Sequence, residues 1–189
     1  MRKLIPALVF LLSAISSKAQ IHYVEPFGGI SFGRPIVVGD FYDMDLSRSH
    51  DFCLDLLRFG FPVWGNENIR FRVQGRWEFF SLGNKYYKMK FHYAGVPIGI
   101  TFRKNLFKVG FQWTTQRKIF AREKDFRGDR TIVEKLEGVN PLRMTGEVSF
   151  SYAFFGIYGR VSATPIFRRG YHPGCDDARL VTFGIVIDL

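Results

Sequence analysis

Residue types that carry covalent or metal chemistry are scarce in this chain. Among its 189 residues there are two cysteines, Cys53 and Cys175, and four histidines, His22, His50, His92 and His172. No Cys, His, Asp and Glu spacing forms a metal-ligand motif, and no glycine-rich phosphate loop or nucleophile elbow is present. The expectation is therefore no cofactor, no metal and no enzyme. Long apolar runs are also missing. Beyond residue 19 no stretch reaches the roughly 18 consecutive apolar residues of a transmembrane helix. Acidic residues are few, 17 against 27 Lys and Arg, for a formal charge of +10.

The first residues read as an export leader. Arg2 and Lys3 precede a short apolar stretch, Leu4 to Ile15, and Ser17-Lys18-Ala19 places small residues where a signal peptidase needs them. Cleavage after Ala19 leaves residues 20–189 as one domain and lowers the formal charge to +7, because Arg2, Lys3 and Lys18 are removed. An exported basic chain does not meet nucleic acid. Its anionic partners are expected to be outer-membrane lipid and lipopolysaccharide, with an envelope protein as a further candidate.

Aromatic residues are abundant, 17% of the chain with 21 Phe. They are spread with a period of two. From Ile69 to Phe79, Ile69, Phe71, Val73, Gly75, Trp77 and Phe79 share one face, and Arg70, Arg72, Gln74, Arg76 and Glu78 share the other. The same alternation runs through Phe107–Trp113, Met144–Tyr152, Ile157–Ala163, Val181–Leu189 and Tyr93–Phe102. Leu56-Leu57 breaks the phase and suggests a bulge, Gly28-Gly29 suggests a bent or close-packed site, and the facing of the first strand is not evident. Periodicity alone fits a soluble sandwich with charges outside or a membrane barrel with charges inside.

Eight strands are expected, at about 23–38, 51–61, 69–80, 91–102, 107–115, 143–153, 155–165 and 180–189. The connections alternate. Long ones fall at about 39–50, 81–90, 116–142 and 166–179, and short ones at 62–68, 103–106 and around Phe154. Long outer loops and short periplasmic turns are the pattern of bacterial barrels. The expected fold is all-β, a transmembrane antiparallel up-and-down β-barrel of about eight strands in the outer membrane of a Gram-negative cell. Trp77 and Trp113, with Tyr87 and Tyr93 nearby, would serve its aromatic girdles.

Three stretches carry a family resemblance: Tyr93-Ala94-Gly95-Val96-Pro97-Ile98, the segment Leu142 to Gly170 with Tyr158-Gly159-Arg160-Val161-Ser162 and Thr164-Pro165-Ile166-Phe167-Arg168-Arg169-Gly170, and the last strand from Thr182. The chain resembles the small, porin-like outer-membrane β-barrel proteins of Bacteroidetes. The resemblance implies that Pro97 is tolerated inside a strand. Leu189 departs from the terminal Phe of proteobacterial barrels.

With charged faces inward, the lumen would hold Asp55, Arg70, Arg72, Arg76, Glu78, Lys108, Glu147 and Arg160. An eight-stranded barrel is just wide enough for side chains to fill it, so these charges are expected to pair as a polar plug. A bridge between Cys53 and Cys175 at the mouth is sterically possible in an oxidising compartment. The connection at 116–142 carries Arg117, Lys118, Arg122, Lys124, Arg127 and Arg130 as candidates for binding lipopolysaccharide or a partner, with a mixed-charge solvated loop as the plainer alternative. The function expected is a structural or surface-interaction barrel. A small-solute channel comes second. A lipid A-modifying enzyme using His50 with Ser47, Ser49 and Asp51 comes third.

Overall fold

The alternation becomes long, tilted strands. A computed structural model describes residues 23–41, 45–64, 66–126, 132–172 and 174–188; the leader expected at 1–19, and Arg127 and Arg130, lie outside these. The strands are β1 (Tyr23–Val38), β2 (His50–Val63), β3 (Asn66–Gly83), β4 (Tyr87–Lys104), β5 (Phe107–Asp125), β6 (Ile132–Lys135), β7 (Leu142–Tyr152), β8 (Phe155–Ser162) and β9 (Arg179–Asp188). Each pairs antiparallel with its neighbours, and β1–β9 pairing closes eight of them into a ring. The short β6 pairs only with the end of β5. No helix among the described residues is long and apolar enough to cross a membrane.

The register fixes the geometry of closure. Following paired residues round the ring from Phe107 through Tyr152, Phe155, Ile187, Ile30, Leu54, Trp77 and Ala94 returns to β5 at Arg117, ten residues further along. For eight strands that stagger corresponds to a tilt of about 40° and an interior filled by side chains.

Irregularities sit where the sequence suggests them. Leu57 has φ of 49°, and the β2–β3 register shifts between Leu56 and Phe59, so Arg58 turns inward beside Asp55. The β1–β2 register shifts between Phe27 and Gly29, and the Arg58 guanidinium donates to the Gly28 carbonyl. Pro97 pairs with Thr114 on one side. On the other, the β3–β4 pairs run from Val73–Ile98 to Arg76–Gly95 and skip the positions between, where the missing N–H would fall.

The ends of several strands differ from expectation. The loop expected at 81–90 is only a turn at 84–86, because β3 and β4 continue through it. The segment expected as a loop from 116 is strand to Asp125, followed by β6. The physical reason is that the polarity of the faces inverts. Lower in the barrel, Arg76 and Glu78 point inward while Trp77, Val96, Phe111 and Trp113 are exposed outside. Higher up the same strands, Phe80, Leu82, Met89 and Phe91 are buried inside, and Lys88 and Lys90 alternate with them outside. A bulge at Ile119 brings Ala121 into the interior in step with this change. An inverted pattern mimics the end of a strand when read from sequence alone.

Over the upper interior the β6–β7 and β8–β9 connections fold down as a lid. Leu136, Val139, Ile166, Phe167, Cys175 and Ala178 pack on Phe80, Leu82, Phe91 and Leu180. Their backbones are joined by Asn140 N–H to Ile166 C=O at 2.9 Å and Arg168 N–H to Gly138 C=O at 2.7 Å. The outermost β1–β2 connection is ordered by Asp45, whose carboxylate accepts from Ser47 N at 2.8 Å and Ser47 Oγ at 2.6 Å. These bonds hold its pKa below the ordinary aspartate value.

Two glycines make the closing seam possible. Gly33 on β1 pairs directly with Gly184 on β9, between Asp51 on β2 and Tyr158 on β8. A Cβ at Gly33 would meet the Tyr158 hydroxyl, and one at Gly184 would meet the Phe32 carbonyl and Gly33. The space they leave lets Tyr158 cross two strands and donate to Asp51 Oδ2 at 3.0 Å. Gly184→Val should therefore cost about 1–3 kcal/mol by overpacking. Thermal unfolding in detergent checks this, and an unchanged midpoint would refute the seam's role.

Candidate functional site

The lower interior is a stack of ion pairs. Among the described residues six carboxylates, Glu25, Asp51, Asp55, Glu78, Glu147 and Asp188, face six cations, Arg58, Arg72, Arg76, Lys108, Arg143 and Arg160. The numbers match because an unpaired charge enclosed away from water is costly.

At the end bearing the short turns, Asp188 collects Arg58 at 2.6 Å, Lys108 at 2.9 Å and Arg72 at 3.8 Å. Above it, Arg76 holds Asp55 through two bonds, Nε to Oδ1 at 2.6 Å and Nη2 to Oδ2 at 2.8 Å, a planar fork suited to guanidinium. Arg76 Nη1 also donates to Glu147 Oε2 at 2.8 Å. Gln74 bridges Arg58 and Asp55, and Gln112 donates to Glu147. Glu147 receives Arg160 Nε at 2.7 Å.

Arg160 joins this layer to the next. Its Nη1 lies 2.9 Å from Asp51 Oδ2, 3.1 Å from Glu78 Oε1 and 3.0 Å from Cys53 Sγ. Asp51, Cys53 and Glu78 bring their ligand atoms within 4.8 Å of one another, the grouping of a metal site. The guanidinium already occupies that centre. Glu78 is completed by Arg143 Nη1 at 2.6 Å and Gln116 Nε2 at 2.5 Å. Arg143 then stacks its cation over Phe80 at 4.7 Å and Tyr93 at 5.7 Å, making the transition to the apolar lid.

Most lumen residues expected from the sequence are here: Asp55, Arg72, Arg76, Glu78, Lys108, Glu147 and Arg160 all join the stack. Arg70 is on the same face of β3 as Arg72, paired with the buried Thr101 nearer the lower rim, and its Nε donates to the Glu67 carbonyl at 3.1 Å. Sequence reasoning missed Glu25, Asp51, Arg58, Arg143, Asp188 and Tyr158. Arg58 was hidden by the bulge. Arg143 and Asp188 stood at strand ends on the polar face, which was a usable signal.

No disulfide joins Cys53 and Cys175, and both are buried. Cys53 belongs to the ionic layer and Cys175 to the lid, so the two sit in different layers of the interior. Tyr93 is buried inside rather than at a girdle, donating from its hydroxyl to Asn140 C=O at 3.0 Å, while Trp77 and Trp113 are exposed outside as expected.

The side chains considered for lipid chemistry are each engaged with other partners. His50 Nδ1 lies 2.9 Å from Arg34 Nη1, Ser47 Oγ donates to Asp45, Ser49 Oγ donates to the Asp45 carbonyl, and Asp51 is committed to Arg160 and Tyr158. Burial, with Arg34 and Lys88 nearby, lowers the His50 pKa and favours its neutral, accepting form. Of the basic residues expected in a loop, Arg117, Lys118, Arg122 and Lys124 are on β5. Lys118 donates to the Val139 carbonyl at 3.3 Å, and Arg122 lies over the Phe120 ring at 5.2 Å.

An eight-stranded antiparallel barrel with a charged, filled lumen is the class that this geometry defines. No known protein family and no curated protein matches the chain. Among solved structures it is similar to Ail, the attachment invasion locus protein of Yersinia pestis, at 18% identity over 87% of this chain and 97% of that one, with a TM-score of 0.44. It is also similar to the outer membrane enzyme PagL, at 10% identity over 86% and 99% of the chains and a TM-score of 0.48. Outer membrane phospholipase of Salmonella typhi matches at 9% identity over 88% and 93%, with a TM-score of 0.29.

Glu147 is the test of the stack. Glu147→Gln leaves Arg76 and Arg160 without a carboxylate they share, so a loss of about 3–5 kcal/mol is expected. Glu78→Gln should do the same to Arg143 and Arg160. Unfolding of the purified barrel by denaturant measures both, and wild-type midpoints would show that the layers are not coupled to stability.

Proposed function

We propose that the protein is a barrel of the Gram-negative outer membrane, exported by a cleaved leader, with a structural and surface-interaction role and a lumen that does not conduct. The resemblance to the small outer-membrane barrels of Bacteroidetes belongs to this reading. So do outer-membrane lipid and lipopolysaccharide, and an envelope protein, as partners.

The observation that carries it is the inversion of polarity along single strands. In the lower part large apolar side chains cover the outside, including Phe107 at 63%, Ile157 at 62% and Phe183 at 58% exposure, while Glu78 and Arg160 are sealed inside. A soluble barrel gains nothing from that arrangement, whereas hydrocarbon outside the wall accounts for it. Closure leaves each of the eight ring strands paired on both edges, which lipid requires. Above the inversion the apolar side chains turn inward and the charges outward, as in any water-soluble protein. The ionic stack and the apolar lid together support the non-conducting reading over the channel. The engagement of the His50, Ser47, Ser49 and Asp51 side chains with partners other than one another supports a non-enzymatic role.

Cell fractionation with a heat-modifiability gel tests the location, and planar-bilayer recording tests the lumen. The expected result is an outer-membrane protein whose band shifts on boiling and which produces no conductance steps. A soluble periplasmic protein without a shift would overturn the membrane reading. Steady single-channel steps would favour the channel.

A further inference from the structure

The outer wall of β4, β5 and β6 carries charges arranged against themselves. Lys90 on β4 pairs directly with Arg122 on β5, which pairs with Lys135 on β6. In the next row Lys88 pairs with Lys124. Like charges placed opposite each other on neighbouring strands are destabilising. None of these five cations has a carboxylate partner among the described residues. The nearby acids Glu123 and Glu134 pair with each other's positions on the opposite face. Such a surface favours an anion laid against it.

What lies beneath the cations restricts that anion. The row immediately below is aromatic. Phe79, His92 and Phe120 are paired in register, with the His92 ring 3.9 Å from Phe120 and 4.8 Å from Phe79, and Trp77 5.7 Å away. This is the level at which the wall changes polarity. Beside it the wall is notched. β7 stops pairing with β5 at Arg117, β6 resumes at Arg122, and residues 136–141 between them dip into the lid. The notch is a groove of about 430 Å³ lined by Lys118, Ile119, Phe120, Arg122, Val133 and Lys135, with the one carboxylate of Glu134 among them. Ile119 is 58% exposed in it. A cationic row set directly above an aromatic row and an apolar groove matches a molecule with phosphate at one end and hydrocarbon at the other.

We propose that this face binds the phosphorylated headgroup of an outer-leaflet glycolipid. Lys90, Arg122 and Lys135 hold the phosphate oxygens, and the first methylenes of an acyl chain lie against Ile119 and Phe120. The inference rests on the outer-membrane reading and adds a defined site to it. Guanidinium in the middle of the row offers the bidentate geometry that phosphate takes best, and each cation near an anionic lipid surface contributes about 1 kcal/mol.

The test uses the full processed chain purified in non-ionic detergent and titrated with bisphosphorylated lipid A. The parent should bind and its thermal unfolding midpoint should rise with lipid. The triple variant Lys90→Ser, Arg122→Ser, Lys135→Ser should bind about a hundredfold more weakly. Without lipid it should be at least as stable as the parent, because the mutual repulsion is gone. Arg103→Ser with Lys104→Ser, at the opposite rim, should bind like the parent. Dephosphorylated lipid A should bind like the triple variant. Equal binding by parent and triple variant, or equal binding of the dephosphorylated lipid, would overturn the site. Equal affinity for phosphatidylglycerol would overturn the glycolipid assignment, and equal protection by inorganic phosphate would overturn the role of the groove. Fractionation of parent and triple variant is read separately. If both fractionate away from the outer membrane while the titration still depends on the three cations, the location fails and the site stands.

Discussion

Enclosed charge is the constraint from which the rest of this barrel follows. Eight strands staggered by ten residues leave an interior that side chains must fill. This sequence fills the lower part with guanidinium and carboxylate groups, and the geometry then becomes restrictive. Arg160 reaches Asp51, Glu78, Glu147 and Cys53 from one position. Tyr158 reaches Asp51 only because Gly33 and Gly184 lie beneath it. Arg58 reaches Asp188 only because β2 bulges at Leu57. Glycine seam, bulge and ion pairs are one solution to a single packing problem.

The pairing of the enclosed charges also bears on what the wall outside them must face. Replacing buried ion pairs with apolar residues often leaves stability unchanged or improves it, so the stack is no efficient route to stability alone. Its advantage here is consistent with hydrocarbon on the outside of the wall. The outer face must then be apolar, and alternating polar residues keep the unfolded chain from presenting continuous apolar runs. The lid completes the arrangement. Leu136, Val139 and Phe167 pack over the mouth of the interior.

Much of this was legible in the sequence because period-two alternation is a local signal. Ile69 to Phe79 and Met144 to Tyr152 announce their facing residue by residue, and the Leu56-Leu57 break marks its bulge. What was not legible depended on long-range geometry. The upper parts of β3, β4 and β5 read as loops because Leu82 and Met89 turn inward where polar residues point inward lower down. Asp51 and Arg160 are separated by more than a hundred residues and meet only through the ring. The same separation put Cys53 and Cys175 within reach on paper, whereas the lid takes up Cys175 and the ionic layer Cys53.

The most direct test of the central claim measures where the outer face changes solvent. Single cysteines at Val96, Phe111, Lys88 and Lys124, in a Cys53→Ser, Cys175→Ser background, are treated on intact cells with a membrane-impermeant maleimide. The inversion predicts rapid labelling at positions 88 and 124 and strong protection at 96 and 111. Equal labelling at all four positions would mean that the apolar wall faces water, and would contradict the account.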